Sequence, residues 1–344
     1  MVGEARPDPS EARPRGPARE GSCLVVEDVV VSYAAGPTVV DRVSFSLQAG
    51  EAVAIVGESG AGKTSLARAL PGLLPRAASL RGSILLEGRE LVGASESDLR
   101  AVRGAVLASI LQEPGLALNP VRRAGAQIAD VIASHRRTSR AAQRDAVGGL
   151  LQRVGLDPEL ARAYSHQLSG GQRQRVAIAQ AIAAGPRVLI ADEPTTALDA
   201  LAEREIIDLL QELRRGMGLA LLLVSHSLST VARLADRILV MYAGRVVESG
   251  PVRDVLTQPL HPYTKALLSC LPPGLERRGG GARNRSRRLP TIPGSAPDPT
   301  LRRAGCAFEP RCPERLEACV TKEPGLCSPQ AGRSLRCILY ERRD

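Results

Sequence analysis

The sequence predicts an α/β fold built on a parallel sheet, and three observations carry that reading. An apolar run at 51–56 leads straight into a glycine-rich loop, Gly57-Glu58-Ser59-Gly60-Ala61-Gly62-Lys63-Thr64, and then into a helical stretch at 65–70. Two further runs, 188–191 and 220–224, are short and continuously apolar, as strands buried on both faces are. The first ends on Asp192-Glu193 and the second is followed by His226, at the strand ends where open α/β sheets face their ligands.

The elements follow in order. Residues 24–31 are apolar and β-branched. Tyr33, a Gly36-Pro37 turn and alternation through Val39, Val43, Phe45 and Leu47 complete a strand, turn and strand. Residues from about 98 to 183 read as mostly helical, with little strand character. The runs 238–241 and 245–248 flank Ala243-Gly244 and predict a hairpin. Beyond Pro259 the texture changes. Residues 272–304 are rich in Pro, Gly and Arg and read as linker, and five of the seven cysteines lie in the last forty residues. The expected organisation is a disordered leader at 1–22, a nucleotide-binding domain at 23–258 with a helical insert at about 113–182, and a cysteine-containing C-terminal domain at 259–344.

Composition bounds the function. With 344 residues, 44% hydrophobic and 24% charged, the chain suits one large core plus an appendage. No run approaches the roughly 18 apolar residues of a spanning helix, and the N-terminus lacks the apolar segment of a secretory signal. A cytosolic chain with peripheral membrane contact is expected. Of the net charge of +10, +8 falls in 259–344 and only +2 in 23–258. The run Arg277, Arg278, Arg283, Arg285, Arg287 and Arg288 has no aromatics interleaved for base stacking. It reads as a solvated linker, with anionic lipid headgroups as the alternative and no specific nucleic-acid partner.

The loop at 57–64 has the spacing of a Walker A phosphate loop. Gly57, Ser59, Gly60 and Gly62 let successive backbone N–H groups curl around phosphate oxygens, and the helix that starts with Thr64 and Ser65 adds its positive end. Lys63 is placed to reach the β- and γ-phosphates of ATP, and the Thr64 hydroxyl to ligate Mg²⁺. Asp192 fits a water-mediated Mg²⁺ ligand. Glu193, one residue on, fits the base that takes a proton from attacking water. Leu168-Ser169-Gly170-Gly171-Gln172 is a second serine-and-glycine turn opening a helix, hence a second anion site. One nucleotide needs one phosphate loop, so a second site makes sense if it closes on nucleotide held by another subunit.

This last pentapeptide resembles the signature of ATP-binding cassette (ABC) ATPases, and the likeness extends over about 24–270. It implies a RecA-like core with an antiparallel β subdomain and a helical subdomain. Two cassettes then pair head to tail, with Ser169, Gly170, Gly171 and Gln172 of one covering ATP on the Walker A of the other. The resemblance further implies that Tyr33 stacks on adenine. It makes Gln112 the Q-loop glutamine near Mg²⁺ and water, Asp199 of Ala197-Leu198-Asp199 the D-loop acid, and His226 the switch histidine at the γ-phosphate. Leu111 and Ser227 depart from the family pattern, which more often has an aromatic and an Asp there, but no catalytic group is lost. ATP hydrolysis is expected.

The tail narrows the expectation. His261-Pro262-Tyr263-Thr264-Lys265-Ala266-Leu267-Leu268, Ile292-Pro293-Gly294, Gly305-Cys306-Ala307-Phe308-Glu309-Pro310-Arg311-Cys312-Pro313 and Leu118-Asn119-Pro120 resemble segments of the oligopeptide/dipeptide/nickel importer ATPases. That implies two separate transmembrane permease subunits, a second and paralogous ATPase, an extracytoplasmic substrate-binding protein, and a location on the cytoplasmic face of the membrane. Short peptides are the expected cargo. Nickel or a metal chelate is the alternative, and a soluble ABC ATPase acting on nucleic acid or ribosomes is the rival of a different class. Four cytosolic thiolates suit a [4Fe–4S] cluster or Zn²⁺, and the resemblance favours a cluster on Cys306, Cys312, Cys319 and Cys337 with Cys327 spare. Cys23 and Cys270 read as packing residues.

Overall fold

The computed structural model describes residues 21–34, 36–111, 118–196, 198–270, 291–295 and 304–341. Most of the 1–22 leader, Gln112, Ala197 and the arginine run at 277–288 lie outside them.

The central sheet is built from β3 (Ala52–Val56), β6 (Leu107–Ile110), β7 (Val188–Asp192), β8 (Ala220–Val224) and β9 (Arg237–Tyr242), all parallel. Three antiparallel strands extend it, β10 (Arg245–Pro251), β12 (Arg333–Leu335) and β11 (Cys327–Gln330). The spatial order is β11-β12-β10-β9-β3-β8-β7-β6. A separate antiparallel sheet, β2-β1-β4-β5, comprises β1 (Ser22–Tyr33), β2 (Thr38–Gln48), β4 (Ala78–Leu86) and β5 (Arg89–Glu90).

The continuous apolar runs follow from this layering. In β3, Ala52, Ala54 and Val56 face one core while Val53 and Ile55 face the other. Leu221 and Leu223 of β8 lie in the first core, and Ala220, Leu222 and Val224 in the second. Both faces are covered, so no position along these strands tolerates a charge. Truncating Ile55 to Ala would cost about 2–5 kcal/mol. The second core is closed by the antiparallel sheet and α1 (Lys63–Ala69). The first is closed by α3 (Ala124–His135), α4 (Arg140–Arg153), α5 (Gly170–Ile182) and α6 (Ala200–Met217), among others. The remaining early helix is α2 (Glu96–Val102), capped by Ser95.

α6 shows why such helices form. Asp199 accepts hydrogen bonds from the N–H groups of Leu201 and Ala202 at its start. Ile206, Ile207, Leu210 and Leu213 recur at helical spacing and are buried. Gly218 ends it in the left-handed region at φ 65°.

Five strands depart from the sequence expectation, β4, β5, β6, β11 and β12. β6 lies inside the stretch read as mostly helical, and the other four were not anticipated. β6 has four residues, too few to show a period, and becomes a strand only because β7 pairs with it from Leu107↔Val188 to Ile110↔Ala191. Among the described residues, the stretch between β6 and β7 carries the helices α3, α4 and α5.

The C-terminal residues join the main sheet and core. β12 pairs with β10 at Glu248↔Leu335. Phe308 is fully buried against Tyr242, the last residue of β9, and Tyr263, in the first turn of α9 (Pro262–Ser269), the helix after α8 (Val252–Thr257). α7 (Leu228–Leu234) and α10 (Ala318–Thr321) complete the helices. Arg333 and Glu248 form a fully buried ion pair. Glu248 also accepts the N–H groups of Leu260 and His261 at 3.0 Å each, so the pair fixes how the chain leaves β10. Cys23 packs in the core and donates to the Leu47 carbonyl. Cys270 is half-buried.

Candidate nucleotide site

β3 delivers the phosphate loop to the carboxyl edge of the sheet, and α1 carries it away. A Cβ on Gly57 would lie 2.2 Å from the Met241 carbonyl, and one on Gly62, at φ 98°, 2.2 Å from the Val39 carbonyl. The loop is thus wedged between two strands and only glycine fits at either position. Its tip, Ser59 and Gly60, is exposed. Lys63 is buried and curls back to donate from Nζ to the carbonyls of Gly57 and Glu58, both at 2.9 Å. Burial lowers its pKa, and Glu193, Asp192 and Glu58 oppose that shift. The Tyr33 hydroxyl lies 3.0 Å from Ser65 Oγ, which ties β1 to the first turn of α1.

Register explains the acids. Asp192 of β7 pairs with Val224 of β8. One step past the first strand and two past the second bring Glu193 and His226 together, with Glu193 Oε2 at 3.3 Å from His226 Nδ1. Thr196 Oγ1 donates to the same Glu193 oxygen at 2.9 Å, and the Glu193 N–H donates to the Val224 carbonyl at 2.8 Å. Glu193 holds a φ of 48°, a strained conformation for a side-chain-bearing residue, worth about 1–3 kcal/mol. His226 is largely exposed, its side chain at 65%.

Asp192 is the most telling group. Burial, then the neighbouring Glu193, raises its pKa, while Thr64 donates a hydrogen bond to it. Its Oδ1 is buried and has no hydrogen-bond partner among the described residues. A buried carboxylate oxygen left unpartnered beside a threonine hydroxyl and a phosphate loop is a donor set that fits Mg²⁺, a hard cation that takes oxygen ligands.

The second anion turn is built separately. Ser169 Oγ accepts the Gln172 N–H at 3.2 Å, and Gln172 Oε1 accepts the Ser169 N–H at 2.9 Å, a reciprocal cap on α5. Gly170 lies next to Leu198, so Asp199 and the turn share one edge. No hydrogen bond among the described residues joins 169–172 to the phosphate loop. Gln112 lies outside those residues; its neighbour Leu111 is exposed.

Two of the tail cysteines are joined through the backbone, the Cys306 N–H donating to the Cys319 carbonyl at 2.9 Å. Burial pushes Cys337 up to about 12, and Cys306, Cys312 and Cys319 raise it further. Burial also raises Cys306, with Cys319 and Cys312 adding to it, and Cys312, with Cys319, Glu314 and Glu309 adding to it. Cys327 responds to burial and Glu341 instead, and its thiol donates to the Leu335 carbonyl. Among the described residues no three His, Cys, Asp or Glu side chains are arranged to hold a metal ion. Neither a Zn²⁺ site nor a [4Fe–4S] cluster is therefore supported by the arrangement of the described residues.

Several residues around the loop were not singled out from sequence. Thr196 is three residues past Glu193, a spacing open to inspection. Glu58 is a variable position of the phosphate-loop pattern. Arg311 and Tyr263 fall inside the tail segments quoted above, but nothing there connects them to the loop.

The family model described as ABC transporter matches residues 40–196, and the one described as the oligopeptide/dipeptide transporter C-terminal region matches 247–319. The chain is 40% identical to the oligopeptide transport ATP-binding protein AppD of Bacillus subtilis over 306 residues, 88% of this chain and 91% of that protein. It is 43% identical over 313 residues to a putative peptide import ATP-binding protein of Brucella ovis, again 88% and 91%. It is 40% identical over 327 residues to the dipeptide transport ATP-binding protein DppD of Bacillus subtilis, 93% and 95%. Among solved structures, a dimeric post-hydrolysis state of the ATP-binding cassette MJ0796 bound to ADP and Pi superposes with a TM-score of 0.61 at 27% identity, covering 67% of this chain and 99% of that one. The cbiO1 subunit of an ABC transporter complex from Clostridium perfringens gives 0.61 at 29% identity, covering 70% and 92%.

Proposed function

Because the chain belongs to the ABC transporter family, in the branch with an oligopeptide/dipeptide-type C-terminal region, we propose that it is the ATP-hydrolysing subunit of a short-peptide importer. The observation that carries the catalytic part is the convergence of Lys63, Thr64, Asp192, Glu193 and His226 at the carboxyl edge of the sheet, with one Asp192 oxygen left unpartnered.

Thr64 and Asp192 would hold Mg²⁺, Asp192 through water. Bound Mg²⁺ supplies charge neutralisation at the β- and γ-phosphate oxygens. Lys63 leaves the Gly57 and Glu58 carbonyls for the phosphates when nucleotide enters. Glu193, steadied by Thr196, accepts the proton of the attacking water. His226, beside Glu193, contacts the γ-phosphate. Tyr33 stacks on adenine, and Gln112 senses the metal and water. Ser169, Gly170, Gly171 and Gln172, with Asp199 beside them, cover the nucleotide of a second cassette. Differential affinity of the closed pair for ATP and ADP supplies the work of transport.

An importer subunit of this kind works with permease subunits and a substrate-binding protein. No helix among the described residues is long and apolar enough to cross a membrane. Two permease subunits, a paralogous second ATPase and a peripheral place on the cytoplasmic face complete the proposal. Cys306, Cys312, Cys319 and Cys337 hold a [4Fe–4S] cluster on this reading.

Affinity purification of the tagged chain from gently solubilised membranes, followed by proteoliposome uptake assays, tests the proposal. Two polytopic subunits and ATP-dependent uptake of short peptides are expected. Uptake of nickel alone would move the cargo assignment, and recovery of only ribosomal or DNA-bound proteins would end the transport reading.

A further inference from the structure

Glu58 sits inside the phosphate loop and is tied on both sides. Its carbonyl accepts Lys63 Nζ at 2.9 Å from within the loop. Its N–H donates to the Tyr263 hydroxyl at 2.8 Å, and its carboxylate accepts the two-pronged guanidinium of Arg311 at 2.7 and 3.0 Å. Both outer partners come from the C-terminal region, Arg311 lying 253 residues away.

Those partners are anchored. Arg311 is 8% exposed. Its Nε donates to the Pro293 carbonyl at 2.8 Å, and Nη1 lies 3.3 Å from the Tyr242 hydroxyl, with the guanidinium 5.9 Å from the Tyr242 ring centre. Tyr263 is fully buried, 4.6 Å from Tyr242 and 5.4 Å from Phe308 between ring centres. A buried fork of donors is an expensive way to attach a tail, since apolar packing attaches segments at least as well. Here the fork is aimed at one of the two loop residues whose carbonyls hold the lysine.

We propose that Arg311 and Tyr263 are positioning residues for the phosphate loop, so that the C-terminal region sets nucleotide affinity through Glu58. This rests on the reading of 57–64 as the ATP site. A loop already held in its binding shape loses little freedom when phosphate arrives, whereas a released loop must be ordered by the ligand. Glu193, Asp192 and His226 stand on other strand ends, so turnover at saturation is largely spared. By reciprocity, bound nucleotide must also tighten the C-terminal segment.

The test is calorimetric affinity for the Mg²⁺ complex of a non-hydrolysable ATP analogue, alongside kcat at saturating ATP, on the full chain. Arg311→Ala is expected to weaken binding about tenfold, with kcat within about twofold. Arg311→Lys restores it only in part, because a point charge cannot fork. Combining Glu58→Gln with Arg311→Ala adds little to either alone. Hydrogen exchange over residues 304–319 slows on adding the analogue in the parent chain but not in Arg311→Ala. Should Arg311→Ala fail to fold, Glu58→Gln on the loop and Tyr263→Phe carry the same comparison. Unchanged affinity with a lowered melting temperature would reduce the contact to packing and overturn the proposal. Additive effects of the Glu58 and Arg311 changes would overturn it too. A parent chain that does not bind the analogue at all would instead end the nucleotide reading itself.

Discussion

Glu193 and His226 meet at 3.3 Å because the strands that precede them are paired in register, Asp192 opposite Val224. Two residues 33 positions apart in sequence are thus placed by a backbone ladder and not by a loop. The strained φ of 48° at Glu193 is held by its N–H to the Val224 carbonyl and by Thr196. Strain kept in place by this many partners is typical of a site that must not relax.

Glu193→Gln removes the proton acceptor and keeps the shape. ATP turnover is expected to fall about 10²–10⁴-fold while nucleotide binding stays near the parent value. Steady-state hydrolysis and a binding isotherm measure the two quantities separately. Full turnover in this variant would sink the assignment of Glu193 as base.

Asp192→Asn separates stability from function. The parent carboxylate is buried with one oxygen unpartnered, and burial already raises its pKa. Removing its charge should stabilise the nucleotide-free chain by about 1 kcal/mol, read as a slightly higher melting temperature. The Mg²⁺ concentration for half-maximal hydrolysis should rise about 10–100-fold, as expected for a group acting through a metal-bound water. A variant less stable than the parent and unchanged in Mg²⁺ requirement would contradict both halves.

How much of this was legible in the sequence depends on where each signal is stored. The β3-loop-α1 unit is local: an apolar run, fixed glycines and a lysine lie within thirteen residues, and each fold requirement acts on adjacent positions. The carboxyl-edge acids are legible for the same reason, since β7 and β8 are buried on both faces and their polar ends stand out. β6 is illegible because four residues carry no period, and its conformation comes from β7. The Glu58–Arg311 contact is illegible because neither residue type nor spacing encodes a pairing across the whole chain. The positive φ of Glu193 is likewise a product of its neighbours, with no glycine to announce it.

The thiols give a compositional prediction. Chain purified without oxygen is expected to carry about four irons and matching acid-labile sulfide. Cys306→Ser, Cys312→Ser, Cys319→Ser and Cys337→Ser should each lose them. Cys327→Ser should keep them, since Cys327 is the spare thiol on this reading. Elemental analysis showing stoichiometric zinc, or no metal at all, would remove the cluster from the proposal.

His261 gives the fold a dependence on pH. It is buried with its Nδ1 accepting the Tyr263 N–H at 3.0 Å, and burial brings its pKa down from 6.5 to about 4, with Lys265 pushing the same way and the Arg336 backbone opposing. The unfolded chain therefore binds a proton that the folded chain refuses. Stability from this group is fully present above about pH 6.5. It falls as pH drops towards about 4, and levels off below that. Linkage gives a loss of about 2 kcal/mol by about pH 5. His261→Asn keeps an acceptor at the start of α9 but does not titrate in this range. Urea unfolding at about pH 7 and about pH 5 should therefore show a steeper loss in the parent than in His261→Asn. Equal slopes would mean that water or a shifted side chain admits the proton without unfolding.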